Sequence, residues 1–335
     1  MSTDINRQLY IAFTDHAYYD GRVMLPWAEQ LLGKYKDLAT HSNSVDITDN
    51  PESADYILFV DAHVVRAVDY DFALRNTTIF REYRYKTFVY NERDDPTLGL
   101  PGLYVSMPKP LFAPDYMRAV PYMHYEVDKV DVGVYLNLSR DKFATFMGDV
   151  TTSPVRSQLF KLSQSCLSMV NTARLNVHDY TERRRSQEEL DFHLHQYCEY
   201  VGGSIYSICP RGHGSSSFRL YESLMLGAIP VVLSDDFVSP FLSSDKQIIW
   251  HIPEGETRLL CSKLPRDSES ISLQQLRCNE IVRRMLSPCV RLDYAVSQIE
   301  SIAHHQCTFM ETHVDEIRRK VYWKIRSIKK KFNAV

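Results

Sequence analysis

The chain has 335 residues, of which 44% are hydrophobic and 24% charged, and its formal net charge is -3 at pH 7. The length predicts about two domains and the composition is typical of a globular protein, while the near-neutral charge excludes nucleic-acid binding through overall electrostatics. The seven cysteines include no C-x-x-C pair. This pattern argues against a disulfide framework and a zinc site, and it predicts reduced thiols in a cytoplasmic protein.

Two kinds of membrane segment are missing from the amino-acid sequence. The first residues contain no basic region followed by an apolar region, so they do not predict a signal peptide. No run of about 18 apolar residues occurs, so the sequence predicts no transmembrane helix. We expect a cytoplasmic location, with at most peripheral contact at the inner face of a membrane.

Short apolar runs and helical patterns alternate in the first half of the chain. The patterns predict strands within 8–15, 44–48, 51–62 and 85–95, and a helix within 22–38. Residues 96–130 are Pro-rich and predict an irregular domain edge or an active-site rim. Strands alternating with helices indicate βαβ units and a mainly parallel sheet.

The second half repeats this rhythm. The patterns predict strands at 143–149, 204–211, 229–236 and 247–253, and helices at 154–173, 187–200, 217–227 and from about residue 300. We find no internal repeat of 20–50 residues, so the similar rhythm of the halves favours two Rossmann-like domains.

The segment 204–230 has the features of an anion-binding strand-turn-helix. Parallel α/β sheets bind ligands at the carboxyl ends of their strands, and a helix N-terminus there offers unpaired N–H groups. Gly212 and Gly214 permit close backbone approach, while Arg211 and Arg219 supply donors suited to phosphate. Glu222 lies one turn after Arg219 and could accept hydrogen bonds from a ribose diol. A capped helix with a surface Arg219–Glu222 pair explains the spacing equally well.

The letters CPRGHGSSSFRLYESLMLGAIPVVLSDD resemble the signature of exostosin-like glycosyltransferases, glycosyltransferase family 47. This sequence has Ser223 where the family pattern has Ala. The segments 143–162 and 49–60 are also similar to the family, so the resemblance covers roughly residues 50–240 and is specific at 208–236.

The resemblance implies an α/β fold of the GT-B type, with two Rossmann-like domains facing across a cleft. We place an acceptor domain at 1–135, a nucleotide-sugar domain at 136–300 and a basic amphipathic helix at 301–335. It further implies an inverting transferase without a metal or other cofactor, with a nucleotide-sugar donor, mostly UDP-linked, and a glycan or glycolipid acceptor.

Residue by residue, the resemblance places the donor site around two arginines. Arg211 and Arg219 would neutralise the diphosphate, or could be structural ion-pair partners, and Glu222 would bind the ribose. Ser217 would cap the helix and could touch phosphate. The other predicted donor-site residues are Gly148, Arg156, Gly212 and His213, with Arg156 a phosphate contact and His213 directed at sugar or phosphate, or simply exposed.

An inverting transfer needs a base that deprotonates the acceptor hydroxyl. Polar residues follow the strands of the first half: Asp15, His16, Asp61, His63, Glu92, Asp94 and Asp95. We favour Asp94 and Asp15, with His16 next, although each could be an ordinary loop residue or helix cap.

Two features stay open. The pair Asp235–Asp236 could contact the donor sugar, form a solvated turn or, less favoured, bind metal. The last helix carries eight Lys or Arg between Arg318 and Lys331, interleaved with apolar residues. It could lie on anionic lipid or pack its apolar side on the protein. A nucleotide-sugar epimerase or hydrolase, and a non-catalytic glycan- or nucleotide-binding subunit, are the alternative functions.

Overall fold

The computed structural model describes residues 6–14, 18–19, 23–63, 67–97, 99–162, 165–173, 186–241, 249–304 and 309–332. The strands are β1 (Arg7–Ala12), β2 (Tyr18–Tyr19), β3 (Val23–Met24), β4 (Val45–Ile47), β5 (Tyr56–Phe59), β6 (Thr87–Asn91), β7 (Gly102–Tyr104), β8 (Met117–Ala119), β9 (Lys142–Gly148), β10 (Leu167–Asn171), β11 (Ser204–Pro210), β12 (Ile229–Leu233) and β13 (Trp250–His251). The α-helices are α1 (Pro26–His41), α2 (Ala67–Asn76), α3 (Thr78–Tyr83), α4 (Val132–Leu136), α5 (Pro154–Lys161), α6 (Gln187–Gly202), α7 (Phe218–Met225), α8 (Leu260–Lys263), α9 (Ser268–Ile281), α10 (Pro288–Glu300) and α11 (Phe309–Phe332).

The chain divides into two compact units, each with its own parallel sheet. Unit 1 comprises Met1–Pro121 and Ser287–Val335, and unit 2 comprises Tyr122–Leu286. The sheet of unit 1 has the strand order β4-β1-β5-β6-β7-β8, and that of unit 2 has the order β10-β9-β11-β12-β13. The predicted α/β class with two Rossmann-like units is confirmed, and the GT-B arrangement stays a prediction.

The strands of unit 1 are parallel throughout the sheet. Its central strands, β5 and β6, are almost wholly buried and have consecutive apolar or aromatic residues, flanked in β6 by Thr87 and Asn91. Helices cover both faces of such a sheet, which is why the runs do not alternate with polar residues. Helix α1 packs with Ala28, Leu31, Tyr35 and Leu38, at the spacing of one helical face.

The expectation that residues 96–130 are irregular is wrong in part, because β7 and β8 lie there. Each has three residues, which is too short for a periodicity to identify. At Gly102 an added Cβ would lie 2.2 Å from the carbonyl oxygen of Val89 on β6. Only glycine lets the two strands approach this closely.

Two late helices belong to unit 1. The carboxylate of Glu300 in α10 accepts from Arg7 of β1 at 2.7 Å, and the indole N–H of Trp323 in α11 donates to the carbonyl of Pro96 at 3.0 Å. Residues after 286 therefore fold back onto the first sheet. The compact units change at residues 121 and 286 rather than at the domain boundaries of 135 and 300 that we predicted.

The sheet of unit 2 is also parallel. The prediction of one helix over 154–173 is wrong, because α5 ends at Lys161 and β10 pairs with β9 from Leu167 opposite Ala144. The edge strand β10 is mostly exposed, so its sequence lacks the apolar run that marks a buried strand. The predicted end of the helix near residue 227 is confirmed, since Gly227 has the positive φ of 73° typical of a helix stop.

The cysteines differ in part from the prediction of reduced thiols. Cys166 and Cys261 form a disulfide within unit 2, with their Cα atoms 6.2 Å apart. The prediction is therefore wrong for this pair, which is 95 residues apart in the sequence and brought together by folding. Cys198, Cys209 and Cys278 are free and buried, as expected for thiols that pack as small apolar groups.

None of the helices in the described ranges is both long enough and apolar enough to cross a bilayer.

Candidate functional site

The predicted donor-site residues meet at the carboxyl edge of the unit 2 sheet. Strands β9 and β11 end at Gly148 and Pro210, and α5 and α7 begin shortly after them. All eight residues predicted for the donor site lie at the end of β9, on the loops after β9 and β11, or in the first two turns of α5 and α7: Gly148, Arg156, Arg211, Gly212, His213, Ser217, Arg219 and Glu222. This edge is where open parallel sheets bind ligands.

Helix α7 begins without a side-chain cap. Ser217 occupies the N-cap position with extended φ and ψ of -151° and 136°, but its hydroxyl accepts no capping hydrogen bond. The predicted capping role of Ser217 is therefore wrong. The first turn of α7 therefore has no side-chain cap, and the positive end of the helix dipole at this edge favours an anion.

Arg219 is the most distinctive side chain at this edge. Its Nη2 donates to the carbonyl of Met147, and its guanidinium lies over the Phe146 ring at 4.9 Å. Its Nε and Nη1 are buried and have no hydrogen-bond partner among the described residues. Buried N–H groups of a charged side chain rarely remain unpaired, so a ligand anion would complete this arginine.

Gly148 is required for this position of Arg219. A Cβ added to Gly148 would lie 2.4 Å from Nη2 of Arg219. The glycine at the end of β9 therefore creates the space in which the guanidinium lies.

Glu222 is buried at the same edge and is held by a residue that the sequence did not identify. The hydroxyl of Tyr197, from α6, donates to Oε2 of Glu222 at 2.8 Å. Burial raises the pKa of Glu222, and the nearby Glu126 and Asp128 add to this, whereas Tyr197 and Arg219 act in the opposite direction. No described residue donates to Oε1, which can therefore accept a hydrogen bond from a hydroxyl group.

Arg211 is engaged within the protein. Its Nε and Nη2 donate to the two carboxylate oxygens of Glu254 at 2.6 and 3.1 Å, and its Nη1 donates to the carbonyl of Gly212 at 3.3 Å. Glu254 in turn is tied to Asp235, whose carboxylate accepts from the Glu254 N–H at 3.0 Å. Of the two roles that we considered for Arg211, the geometry favours the structural ion pair.

Arg156, in the first turn of α5, joins the loop after β9 to the loop after β11 through hydrogen bonds. Its Nε donates to the carbonyl of Arg211 at 3.0 Å and its Nη1 to that of Asp149 at 3.2 Å. A Cβ on Gly212 would lie 3.4 Å from Nη2 of Arg156, so the glycine gives this side chain room. The arrangement fixes the loop shape, and the predicted phosphate contact of Arg156 stays a prediction.

His213 is exposed on the loop between the two glycines. It lies near Asp149. Burial by itself would raise the pKa of Asp149, but the hydrogen bonds from Thr151 and the charges of Arg156 and His213 outweigh it, so the pKa is lowered.

Aromatic side chains border α7. Tyr122 stacks on Phe218 with ring centroids 3.6 Å apart, and Tyr125 and Tyr221 pack edge-on against Tyr122. Phe218 is 43% exposed. The sequence did not identify this cluster, because Tyr122 falls in the Pro-rich segment and only folding brings it to α7.

The base candidates of unit 1 differ in their surroundings. Asp15 and His16 lie outside the described residues. Asp94 is exposed in the turn after β6, while its neighbour Asp95 pairs with Arg93 at 2.9 Å. Asp61 is fully buried, and its Oδ2 accepts from the N–H and hydroxyl of Thr14 at 2.7 and 2.6 Å.

Among the residues that the structure describes, no group of three or more His, Cys, Asp or Glu is arranged to hold a metal ion. The pair Asp235–Asp236 is included in this result.

Comparison with known proteins agrees with this geometry. Residues 110–248 match the family model described as the Exostosin GT47 domain. Over these residues the chain is similar to exostosin GT47 domains. The match includes the loops after β9 and β11 and the whole of α7, so the predicted exostosin-like glycosyltransferase family is confirmed over these residues.

Individual relatives are similar to parts of this chain only. It is 34% identical over 62 residues to the Exostosin-1 homolog of Caenorhabditis elegans, covering 18% of this chain and 16% of the relative. It is 31% identical over 105 residues to a protein of Oryza sativa subsp. japonica named as a probable glucuronosyltransferase, covering 31% of this chain and 23% of the relative. The chain thus spans less than a quarter of either relative.

Among solved structures, an α1,3-fucosyltransferase is 11% identical with a TM-score of 0.39, covering 97% of this chain and 91% of that one. This likeness is too weak to carry a conclusion.

Proposed function

We propose that this exostosin GT47 chain is a glycosyltransferase that moves a sugar from a nucleotide-sugar donor, UDP-linked as the family resemblance implies, to a glycan or glycolipid acceptor. The observation that carries the proposal is Arg219, whose Nε and Nη1 are buried without a hydrogen-bond partner beside the N-terminus of α7, which has no side-chain cap. Both features select an anion, and the diphosphate of a nucleotide-sugar is one of suitable charge.

The proposed transfer inverts the anomeric centre. A carboxylate or imidazole takes the proton of the acceptor hydroxyl as its oxygen forms a bond to the anomeric carbon. The bond between that carbon and the diphosphate oxygen breaks at the same time, and the nucleoside diphosphate leaves with the electron pair. Arg219 and the N–H groups of α7 then stabilise the negative charge on the leaving diphosphate, without a metal ion.

Glu222 is assigned to the ribose. Its Oε1 would accept from a ribose hydroxyl while Tyr197 holds Oε2. The acidic neighbours Glu126 and Asp128 do not favour an anion at this end. The diphosphate therefore lies toward Arg219 and the ribose toward Glu222.

The proposal is tested by calorimetric titration of the chain with UDP, GDP, ADP and UDP-sugars. We expect one nucleoside diphosphate to bind. Arg219→Ala should lower the affinity for it by about 10- to 100-fold, because charged hydrogen bonds to the diphosphate are lost. Arg266→Ala is the matched control. The Arg266 guanidinium also lies over a phenylalanine ring of β9, that of Phe143 at 4.2 Å, but Phe143 is near the start of β9 and the candidate site is at its end. Unchanged binding in Arg219→Ala, or no binding of any nucleotide by the wild-type chain, would contradict the proposal.

A transfer assay separates the three functions. The transferase consumes the nucleotide-sugar only when a glycan acceptor is added. Consumption without an acceptor would favour an epimerase or hydrolase, and binding without consumption would favour a non-catalytic subunit.

The disulfide bears on where the reaction takes place. Disulfides form and persist in oxidising compartments and are rare in the cytosol. The Cys166–Cys261 bond therefore favours an oxidising compartment over the cytoplasm that the sequence analysis expected. Trapping free thiols by alkylation in intact cells distinguishes the two, because the pair resists alkylation only where it is oxidised.

A further inference from the structure

Helix α11 packs one of its faces against unit 1. Arg75 forms an ion pair with the buried Glu316, and Nη2 of the buried Arg319 donates to the Tyr116 hydroxyl at 3.1 Å. Trp323 lies on the same face and donates to the carbonyl of Pro96. Polar and charged groups thus hold the inner face of this helix, which is the reverse of an ordinary surface helix.

The outer face of α11 carries the apolar residues. Five side chains with a spacing of three and four residues are 46–59% exposed: Val314, Ile317, Val321, Ile325 and Ile328. At about 100° per residue they form one stripe, which lies about 170° around the helix from Glu316, Arg319 and Trp323. We call these five residues the outer stripe. A contiguous exposed apolar stripe of this kind marks an interaction surface.

The charges beside the outer stripe are basic. From Ile317 to Phe332 the helix contains seven further Lys or Arg besides Arg319 and no Asp or Glu. Lys320 and Lys324 are exposed along one side of the stripe, and Arg318 lies along the other, where it also donates to the carbonyl of Pro110. The partner must therefore offer both an apolar layer and negative charge.

We propose that the outer stripe of α11 lies on an anionic lipid surface. A helix lying in the plane of such a surface inserts its apolar stripe among the acyl chains, while lysines along its sides reach the anionic head groups. A second copy of this chain is a poorer partner, because joining two stripes would bring their Lys320 and Lys324 side chains together. This proposal does not depend on the proposed glycosyl transfer.

The test is co-sedimentation of the full chain with vesicles of phosphatidylcholine alone or with about one third phosphatidylserine, at low and high salt. We expect binding to the anionic vesicles only, weakened by salt because head-group attraction is screened. The variant Val321→Ser/Ile325→Ser and the variant Lys320→Glu/Lys324→Glu should each reduce the partition coefficient at least tenfold, since one lysine near such a surface is worth about fivefold.

Two controls match these variants. Leu273→Ser/Leu276→Ser removes two exposed apolar side chains of α9, which are 49% and 65% exposed. Lys34→Glu/Lys161→Glu makes the same change in net charge on exposed residues of α1 and α5. Both controls should bind vesicles like the wild-type chain, and all variants should keep its thermal midpoint within a few degrees.

Three results would overturn the proposal. One is absence of binding to anionic vesicles at low salt, and another is binding that the two α11 variants leave unchanged. The third is a concentration-dependent dimer that Val321→Ser/Ile325→Ser abolishes in a chain that binds no vesicles, because the stripe would then join two copies.

Discussion

The carboxyl edges of the two sheets contain charged groups of opposite sign with buried polar atoms. The edge in unit 1 contains the carboxyl group of Asp61. Burial raises its pKa, although the hydrogen bonds from Thr14 act in the opposite direction. The edge in unit 2 contains the guanidinium of Arg219, with two buried N–H groups that no described residue accepts. A carboxylate can lose its charge by taking up a proton, whereas an arginine cannot give its proton away. The edge in unit 2 therefore favours the anionic ligand that we propose, whereas the edge in unit 1 can neutralise its own charge.

The largest expected effect is on the reaction rate and concerns unit 1. If its edge supplies the base, Asp94→Asn should reduce kcat by about 10²- to 10⁴-fold, because general base catalysis is lost. Nucleotide affinity should not change, since the donor residues lie in unit 2. The measurement is initial rate with a saturating nucleotide-sugar and acceptor.

Asp95→Asn is the control for this change, because Asp95 is adjacent but paired with Arg93. A full rate in Asp94→Asn would exclude Asp94 and direct the search to Asp15 and His16.

The second effect tests whether a buried carboxyl group of unit 1, that of Asp71, keeps its proton and so stays uncharged. Burial, together with the charge of Glu316, raises the pKa of Asp71 in α2 to about 7, although Lys320 and Arg75 oppose this. Between pH 4 and 7 the folded state keeps a proton that the unfolded state has lost, so this contribution to the free energy of unfolding is lost as pH rises through 7. Relative to Asp71→Asn, the wild-type chain should lose about 2–3 kcal/mol of stability between pH 5 and pH 8.

Urea unfolding at these two pH values measures this loss. Equal slopes against pH in the wild-type chain and in Asp71→Asn would show that the carboxyl group does not keep its proton.

The smallest effect concerns the space around Arg219 in unit 2. Gly148→Ala places a Cβ 2.4 Å from Nη2 of Arg219, so the guanidinium or the loop must move. We expect a loss of about 1–3 kcal/mol in stability from overpacking and about tenfold weaker nucleotide binding. Denaturation and nucleotide titration measure the two effects.

Gly33→Ala on α1 is the matched control. The added Cβ meets no atom within 4 Å, so the free energy of unfolding should rise by about 0.5–1 kcal/mol and nucleotide binding should not change. Nucleotide affinity that is equally high in Gly148→Ala and the wild-type chain would show that the position of Arg219 is not critical.

The sequence predicted the elements whose own residues specify them. Strand β11 and helix α7 were found because an apolar run, glycines and a helical period follow one another within about twenty residues. Strand β10 was mistaken for helix, because an exposed edge strand is defined by its pairing with β9 rather than by an apolar pattern. The short strands β7 and β8 were missed for a similar reason.

The candidate site divides in the same way. Arg219, Glu222 and Gly148 were identified from local sequence, whereas the bond from Tyr197 to Glu222 joins residues 25 positions apart and could not be read from spacing. The two arginines looked equivalent, and only the ion pair with Glu254, 43 residues from Arg211, distinguished them.

The sequence by itself determined the α/β class, the exostosin signature and the set of cationic and acidic groups available at one strand edge. These are local properties, set by periodicity and by residues close together in the chain. Only the tertiary structure decided which arginine keeps unpaired donors, which cysteines join and which face of α11 is exposed. Each of these depends on contacts between residues far apart in the chain, and burial then sets whether a charged group is paired within the protein or remains for a ligand.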